Sequence, residues 1–204
     1  MSVQRDGRET EIYERVMYAG PEPRVPVNKL GLRDWLTLEI AEIEIVARRS
    51  KQGLPRQAQE ISYSGFKAIH RHLFQDIYDW AGEERTYTTS RNPGVPFARP
   101  EHIVSWMEKQ FLSLHAANCL NGLAKPDFSR KAAFFVNEIN AAHPFIEGNG
   151  RVMRLWLQIV ADGAGYGLML DRADKLAWND AARLGFFGSN EPMAALIASR
   201  LHAL

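Results

Sequence analysis

The chain has 204 residues, 46% apolar and 24% charged, and its 25 basic and 24 acidic side chains leave a net charge of +1. That length supports one domain with a sizeable core, and the balanced charge excludes a general nucleic-acid binder, which needs a basic stripe. A single cysteine, Cys119, excludes an internal disulfide and a cysteine-based zinc site, and no apolar stretch approaches the roughly 18 residues of a membrane helix.

Residues 1–28 are polar and then broken by Pro21, Pro23 and Pro26, which reads as an arm. The beginning, Ser2-Val3-Gln4-Arg5-Asp6, has no hydrophobic signal core, so the expected location is cytoplasmic. From about Leu30 the pattern turns helical, with Leu36, Ile40, Ile43 and Val46 at helical spacing until Gly53 and Pro55. A second helix is expected over about 62–80, with Phe66, Ile69, Leu73 and Ile77 on one face and Gly82 as terminator. His70 and His72 are two apart, point to different faces, and read as surface or core-edge residues.

Residues 84–98 change character. Arg85-Thr86-Tyr87-Thr88-Thr89 is rich in strand formers and precedes Asn92-Pro93-Gly94, so a short hairpin or flap is expected. Helices resume over about 100–118, from after Asp127, and from within 148–150 to about 164; two shorter ones span roughly 172–184 and 190–203. Cys119 reads as a small buried hydrophobe. The expected class is mainly α, a helical bundle with one short β element. Residues 29–204 form the single domain.

The chemistry concentrates in one run, His143-Pro144-Phe145-Ile146-Glu147-Gly148-Asn149-Gly150-Arg151-Val152-Met153-Arg154. His143 follows a helix and can accept a proton from a hydroxyl near neutral pH. Gly148-Asn149-Gly150 precedes an apolar-periodic helix, so successive backbone N–H groups and the helix start form an anion site. Arg151, Arg154 and Gln158 fall on a face separate from Val152, Leu155, Trp156, Ile159 and Val160, and arginine forks suit phosphate. Glu147 beside a phosphate site is unfavourable unless a cation intervenes, and magnesium held by one carboxylate plus phosphate oxygens resolves the conflict. These parts suit a nucleotide triphosphate attacked in line by a hydroxyl whose proton passes to His143.

The run resembles the Fic family signature HPFx(D/E)GNGRxxR at every specified position. Asn28-Lys29-Leu30-Gly31-Leu32, and Leu73-Phe74-Gln75-Asp76-Ile77-Tyr78-Asp79-Trp80-Ala81-Gly82-Glu83 followed by Arg85, extend the resemblance over about residues 10–203. It implies the Fic fold and transfer of AMP from ATP to a Ser, Thr or Tyr hydroxyl of a target protein. His143 is then the general base and Glu147 the magnesium ligand. Gly148, Asn149, Gly150, Arg151 and Arg154 hold the phosphates. Residues 85–98 become the flap that docks the target by strand-like pairing, with Thr86, Tyr87 and Thr88 along it and Phe97 as clamp.

Many Fic enzymes carry an inhibitory (S/T)xxxE(G/N) helix whose glutamate pairs with the second motif arginine, here Arg154. Thr10-Glu11-Ile12-Tyr13-Glu14-Arg15 matches only at Thr and Glu. The resemblance therefore implies a toxin restrained by a separate small antitoxin. It also makes DNA gyrase and topoisomerase IV subunits the first target candidates, with no direct nucleic-acid or membrane partner. The alternatives are a Doc-like protein kinase, whose branch departs from the Gly-Asn-Gly stretch, and an inactive binding module on the same fold.

Overall fold

The computed structural model describes residues 4–92, 95–170 and 173–204. It is mainly helical, as the sequence predicts, and its chain divides into two compact units. Pro93 and Gly94, at the expected hairpin turn, lie outside the described residues.

One unit holds the chain up to Glu60, Ser64–Ile103 and Pro144–Asn149. The stretch the sequence suggests is an arm carries helix α1, Gly7–Val16. A capping box starts it: Asp6 accepts the Glu9 N–H, and the Glu9 carboxylate accepts the Asp6 N–H in return. Tyr13 on α1 is buried, and its hydroxyl donates to Glu22; burial first, then Glu22, push its pKa up to about 12. Polarity of sequence hides this element because its core contribution is only Tyr13, with Val25 following in the next segment.

Helix α2, Trp35–Lys51, is N-capped by Asp34, whose side chain accepts the Thr37 N–H at 2.9 Å. Its apolar spacing does not mark the buried stripe. Leu36 and Ile40 are 67% and 51% exposed, whereas Leu38 and Glu42 are buried. Glu42 tolerates burial because the Tyr78 hydroxyl donates to it. Helix α3, Tyr63–Phe74, buries Phe66, Ile69 and Leu73 as its periodicity predicts. It ends earlier than expected, because the Ile77 and Tyr78 N–H groups both turn back to the Phe74 carbonyl. Strands β1, Ser90–Asn92, and β2, Val95–Pro96, form the expected antiparallel hairpin. It is shorter than the 84–98 stretch.

The other unit holds Ile61–Tyr63, Val104–His143 and Gly150–Leu204. Helix α4 is Pro100–Ala116 and helix α5 is Lys125–Ala142, the latter with Pro126 in its first turn. Helix α6, Asn149–Gly163, buries Val152, Met153, Trp156, Leu157 and Val160, while Leu155 and Ile159 stay half-exposed. Trp156 meets Phe111 of α4 edge-on at 5.7 Å. Helices α7, Lys175–Phe186, and α8, Glu191–Arg200, pack with α5.

A second antiparallel pair is absent from the sequence reading. Strand β3, Tyr166–Leu168, pairs with β4, Leu201–Ala203, in the register Tyr166↔Ala203. The expected helix over 190–203 therefore stops at Arg200, since a partner more than thirty residues upstream outcompetes local propensity. Cys119 is half-exposed at φ +49, not a core residue, and its Sγ lies 3.4 Å from His115 Nδ1.

A Cβ placed on Gly65 would lie 2.1 Å from the Glu60 carbonyl oxygen. Gly65→Ala is expected to cost about 1–3 kcal/mol, the usual range for forced overpacking. Urea unfolding of the variant against wild type measures it.

Candidate active site

His143 is the C-cap of α5, at φ +47 and ψ +62, and its N–H bonds the Ile139 carbonyl at 3.2 Å. The following proline disfavours the right-handed helical region at this residue, so the helix stops here. A left-handed conformation is costly for any residue but glycine, and residues held in it concentrate at functional sites. His143 is half-buried at this helix end.

The loop from Pro144 to Asn149 is fixed from inside its own unit. Phe145 is fully buried, stacked on Phe66 at 5.7 Å and on His70 at 3.9 Å. Asn149 closes the loop with two bonds to one residue: its Oδ1 accepts the Phe145 N–H at 3.0 Å and its Nδ2 donates to the Phe145 carbonyl at 2.8 Å. The Asn149 side chain thus shapes the loop, and its contribution to an anion site is the backbone N–H at the start of α6. Gly148 sits at φ +83, and a Cβ there would lie 2.4 Å from the Phe74 ring. Both the conformation and the space require glycine.

The Glu147 carboxylate accepts the Gly148 N–H at 2.8 Å. One donor of the nest therefore already faces an anion, the chain's own. Among the described residues no group of three or more His, Cys, Asp or Glu gathers around a metal position. A single carboxylate fits magnesium that takes its other oxygens from phosphates and water, and does not fit an all-protein cage.

On α6, the Arg154 guanidinium folds back over the first turn. A Cβ at Gly150 would lie 3.4 Å from its Nη1, and its Cζ stands 5.8 Å from the Trp178 ring centroid. Burial first, then the neighbouring Arg151 charge, lower its pKa; Asp174 opposes them. Asp174 is itself buried and bonds Arg200 through both Nε and Nη2, at 3.0 and 2.7 Å. No acidic residue sits in the first turn of α6, so its positive end is not offset there.

Of the flap residues, Thr86 is exposed. Tyr87, Thr88 and Phe97 are buried, at 3%, 9% and 5% exposure. A docking surface needs accessible groups, so these three side chains serve the base of the flap. Tyr87 lies edge-on to Tyr13 at 5.2 Å, and burial raises its pKa. The Phe97 N–H bonds the Thr89 carbonyl.

Two residues to which the sequence reading gives no role in the site, His70 and Arg85, hold this region. His70 is fully buried, contrary to a surface or core-edge placement, as is His72 nearly so. Its Nδ1 accepts the Gly82 N–H at 2.8 Å, which leaves Nε2 to donate to the Glu147 carbonyl at 3.0 Å. One imidazole thus ties the turn after α3 to the motif loop. Its place four residues after Phe66, on the apolar face of α3, is the signal that finds it. Arg85 is 1% exposed; its Nη1 donates to the Tyr87 carbonyl at 2.8 Å and its Nη2 to that of Ala98, while its N–H bonds the Pro144 carbonyl. Burial lowers its pKa to about 10, and it stays charged at neutral pH.

Residues 60–161 match the Fic/DOC family. The chain belongs to that family. It is 33% identical over 178 residues to the probable protein adenylyltransferase y4lH of Sinorhizobium fredii, covering 87% of this chain and 91% of that one. It is also 33% identical over 185 residues to protein adenylyltransferase VbhT of Bartonella schoenbuchensis, covering 90% of this chain but spanning only 38% of the relative's length. Among solved structures, the ADP-bound N-terminal Fic domain of a putative cell filamentation protein from Bartonella quintana superposes with a TM-score of 0.80. That match is 25% identical and covers 93% of this chain and 95% of that one. The Fic fold of this chain is shown by that likeness.

Asn149→Asp replaces the donor to the Phe145 carbonyl with a carboxylate in a buried loop. It is expected to cost about 2–4 kcal/mol, more than loss of one neutral hydrogen bond, because the new charge faces an acceptor. Thermal unfolding of Asn149→Asp beside Asn149→Ala checks the order, with Asp the less stable.

Proposed function

We propose that this Fic domain is a protein adenylyltransferase, moving AMP from ATP to a Ser, Thr or Tyr hydroxyl of a target protein. The observation that carries the reading is the complete His143–Arg154 run, seated on a helix C-cap, a clamped loop and a helix N-terminus. The names of the relatives at 33% identity support the reaction. The ADP held by the Bartonella quintana neighbour supports the nucleotide.

His143, as neutral imidazole, accepts the hydroxyl proton while that oxygen forms a bond to the α-phosphorus. The bond from the α-phosphorus to the bridging oxygen breaks, and pyrophosphate leaves with the electron pair. Backbone N–H groups of the loop and of the first turn of α6 donate to phosphate oxygens, and Arg151 and Arg154 add charge-assisted bonds. Glu147 would hold magnesium, which supplies neutralising charge on the phosphates when bound. For a phosphate to use the Gly148 N–H, the Glu147 carboxylate gives up that bond, and coordinating a cation is the compensating interaction.

The finer reading is a cytoplasmic toxin restrained by a small antitoxin whose (S/T)xxxE(G/N) helix delivers a glutamate to Arg154. The support is that no such motif occurs within these 204 residues. DNA gyrase and topoisomerase IV subunits are the first target proteins to assay. No helix among the described residues is long and apolar enough to cross a membrane.

Incubation with a bacterial lysate and ATP labelled at either phosphate tests the reaction. Label is expected on protein from the α-phosphate and not from the γ-phosphate, and His143→Ala is expected to lose it by about 100-fold or more, the scale of a general base. Label from the γ-phosphate alone would instead indicate a Doc-like kinase. No label from either, with His143→Ala indistinguishable, would indicate a binding module. Co-expression with the neighbouring small open reading frame tests the antitoxin: toxicity of the chain alone, relieved by the partner, is expected.

A further inference from the structure

We infer that Glu9 of helix α1 is a positioning residue for target docking, holding the base of the flap from outside. The inference rests on the AMP-transfer reading above and on the family resemblance, which makes residues 85–98 the flap that receives the target.

The contact is specific. Glu9 Oε1 accepts both the Thr88 N–H, at 2.8 Å, and the Thr88 hydroxyl, at 2.6 Å. Arg5 Nε donates to the Thr88 carbonyl at 2.9 Å. Both backbone groups of Thr88 are thereby taken by side chains of the amino-terminal segment, as a partner strand would take them. The next carbonyl along, that of Thr89, faces the Phe97 N–H in the hairpin. The segment leading into β1 is therefore closed on one side at Thr88, and a docking strand has to use another part of the flap.

The contact is a brace and not a removable cover. Tyr87 and Tyr13 pack edge-on, both are buried, and the Arg5 guanidinium lies 3.7 Å from the Tyr13 ring centroid. Lifting α1 would expose two tyrosines as well as break the Thr88 bonds. Glu9 is also the N3 residue of the α1 capping box, with Oε2 turned to the Asp6 N–H. A single carboxylate therefore sets the start of α1 and the base of the flap together. Arg85 holds the same segment from within, through the carbonyls of Tyr87 and Ala98. Glu9 supplies the outer contact, and unlike Arg85 it can be replaced without leaving a buried cavity, because it is half-exposed.

The test compares wild type, Glu9→Ala and Glu9→Gln in the full chain. Amide hydrogen exchange of residues 85–89 is expected to speed up by about tenfold in Glu9→Ala, the scale of a bond to a charged acceptor, with α6 unchanged. Glu9→Gln keeps an oxygen for the Thr88 N–H and is expected to restore most of the protection. Transfer of α-phosphate label to lysate proteins is expected to fall by a similar factor in Glu9→Ala, while its KM for ATP stays within twofold. Unchanged exchange at 85–89 overturns the inference, and so does protein labelling that survives or rises when exchange speeds up. Failure of wild type to label any protein sinks the AMP-transfer reading instead, and exchange alone then decides whether Glu9 anchors Thr88.

Discussion

Burial of Phe145 is the constraint on which the motif loop depends. A fully buried phenylalanine contributes roughly 1.5–3 kcal/mol, and here that sum is concentrated in a six-residue loop. The aromatic stack alone would fix the ring and leave the flanking backbone free to turn. His70 removes that freedom. It lies face to face with Phe145 while its two nitrogens hold the Gly82 N–H and the Glu147 carbonyl. Both backbone groups are matched only by the neutral imidazole with its proton on Nε2, so the polar contacts also fix a tautomer. Inside an aromatic surround such bonds are strong when complete and costly when broken. Asn149 then closes the loop on Phe145 itself. The nest in front of α6 is thus shaped by apolar burial, although its chemistry is ionic.

The charges around that nest show the opposite economy. Arg154 is partly desolvated, and that burial first, then the Arg151 charge, lowers its pKa. Asp174 opposes this, but its carboxylate is already shared with Arg200. Glu147 turns to the Gly148 N–H. On the AMP-transfer reading, a phosphate at the Gly148 N–H takes the place of the Glu147 carboxylate, so that contact is the one that reorganises.

The sequence is most legible where function is local. The run from His143 to Arg154 carries its own evidence, because a helix end, a proline, two glycines and a following apolar helix are adjacent in the chain. The phase of α3 is equally plain, since Phe66, Ile69 and Leu73 are all apolar and all buried. Helix α2 is not plain: Glu42 occupies a buried place only because Tyr78, far along the chain, donates to it. The same distance hides the pairing of β3 with β4, the two bonds of His70 and the fork of Arg85. Each is a contact between residues that no short window contains together. The flap shows a subtler limit. Strand-forming residues at 86–88 lie ahead of the strand, which starts only at Ser90, and residue propensity cannot say that a helix from the chain's beginning covers one side of them.

That helix also shows how a local rule becomes a tertiary one. A ten-residue helix is marginal by itself in water, since nucleation is costly and few bonds follow. The capping box offsets part of that cost, by an amount on the order of 1 kcal/mol. What remains has to come from docking, and the docking surface of α1 is the segment that leads into the flap. Tyr13 meets Tyr87, and Glu9 meets Thr88. The dependence therefore runs both ways. Residues 85–89 lack a long strand ladder of their own and borrow order from α1, while α1 lacks the length to persist without them. A change at either surface should be felt at the other, so the beginning of the chain belongs energetically to the segment that leads into the hairpin.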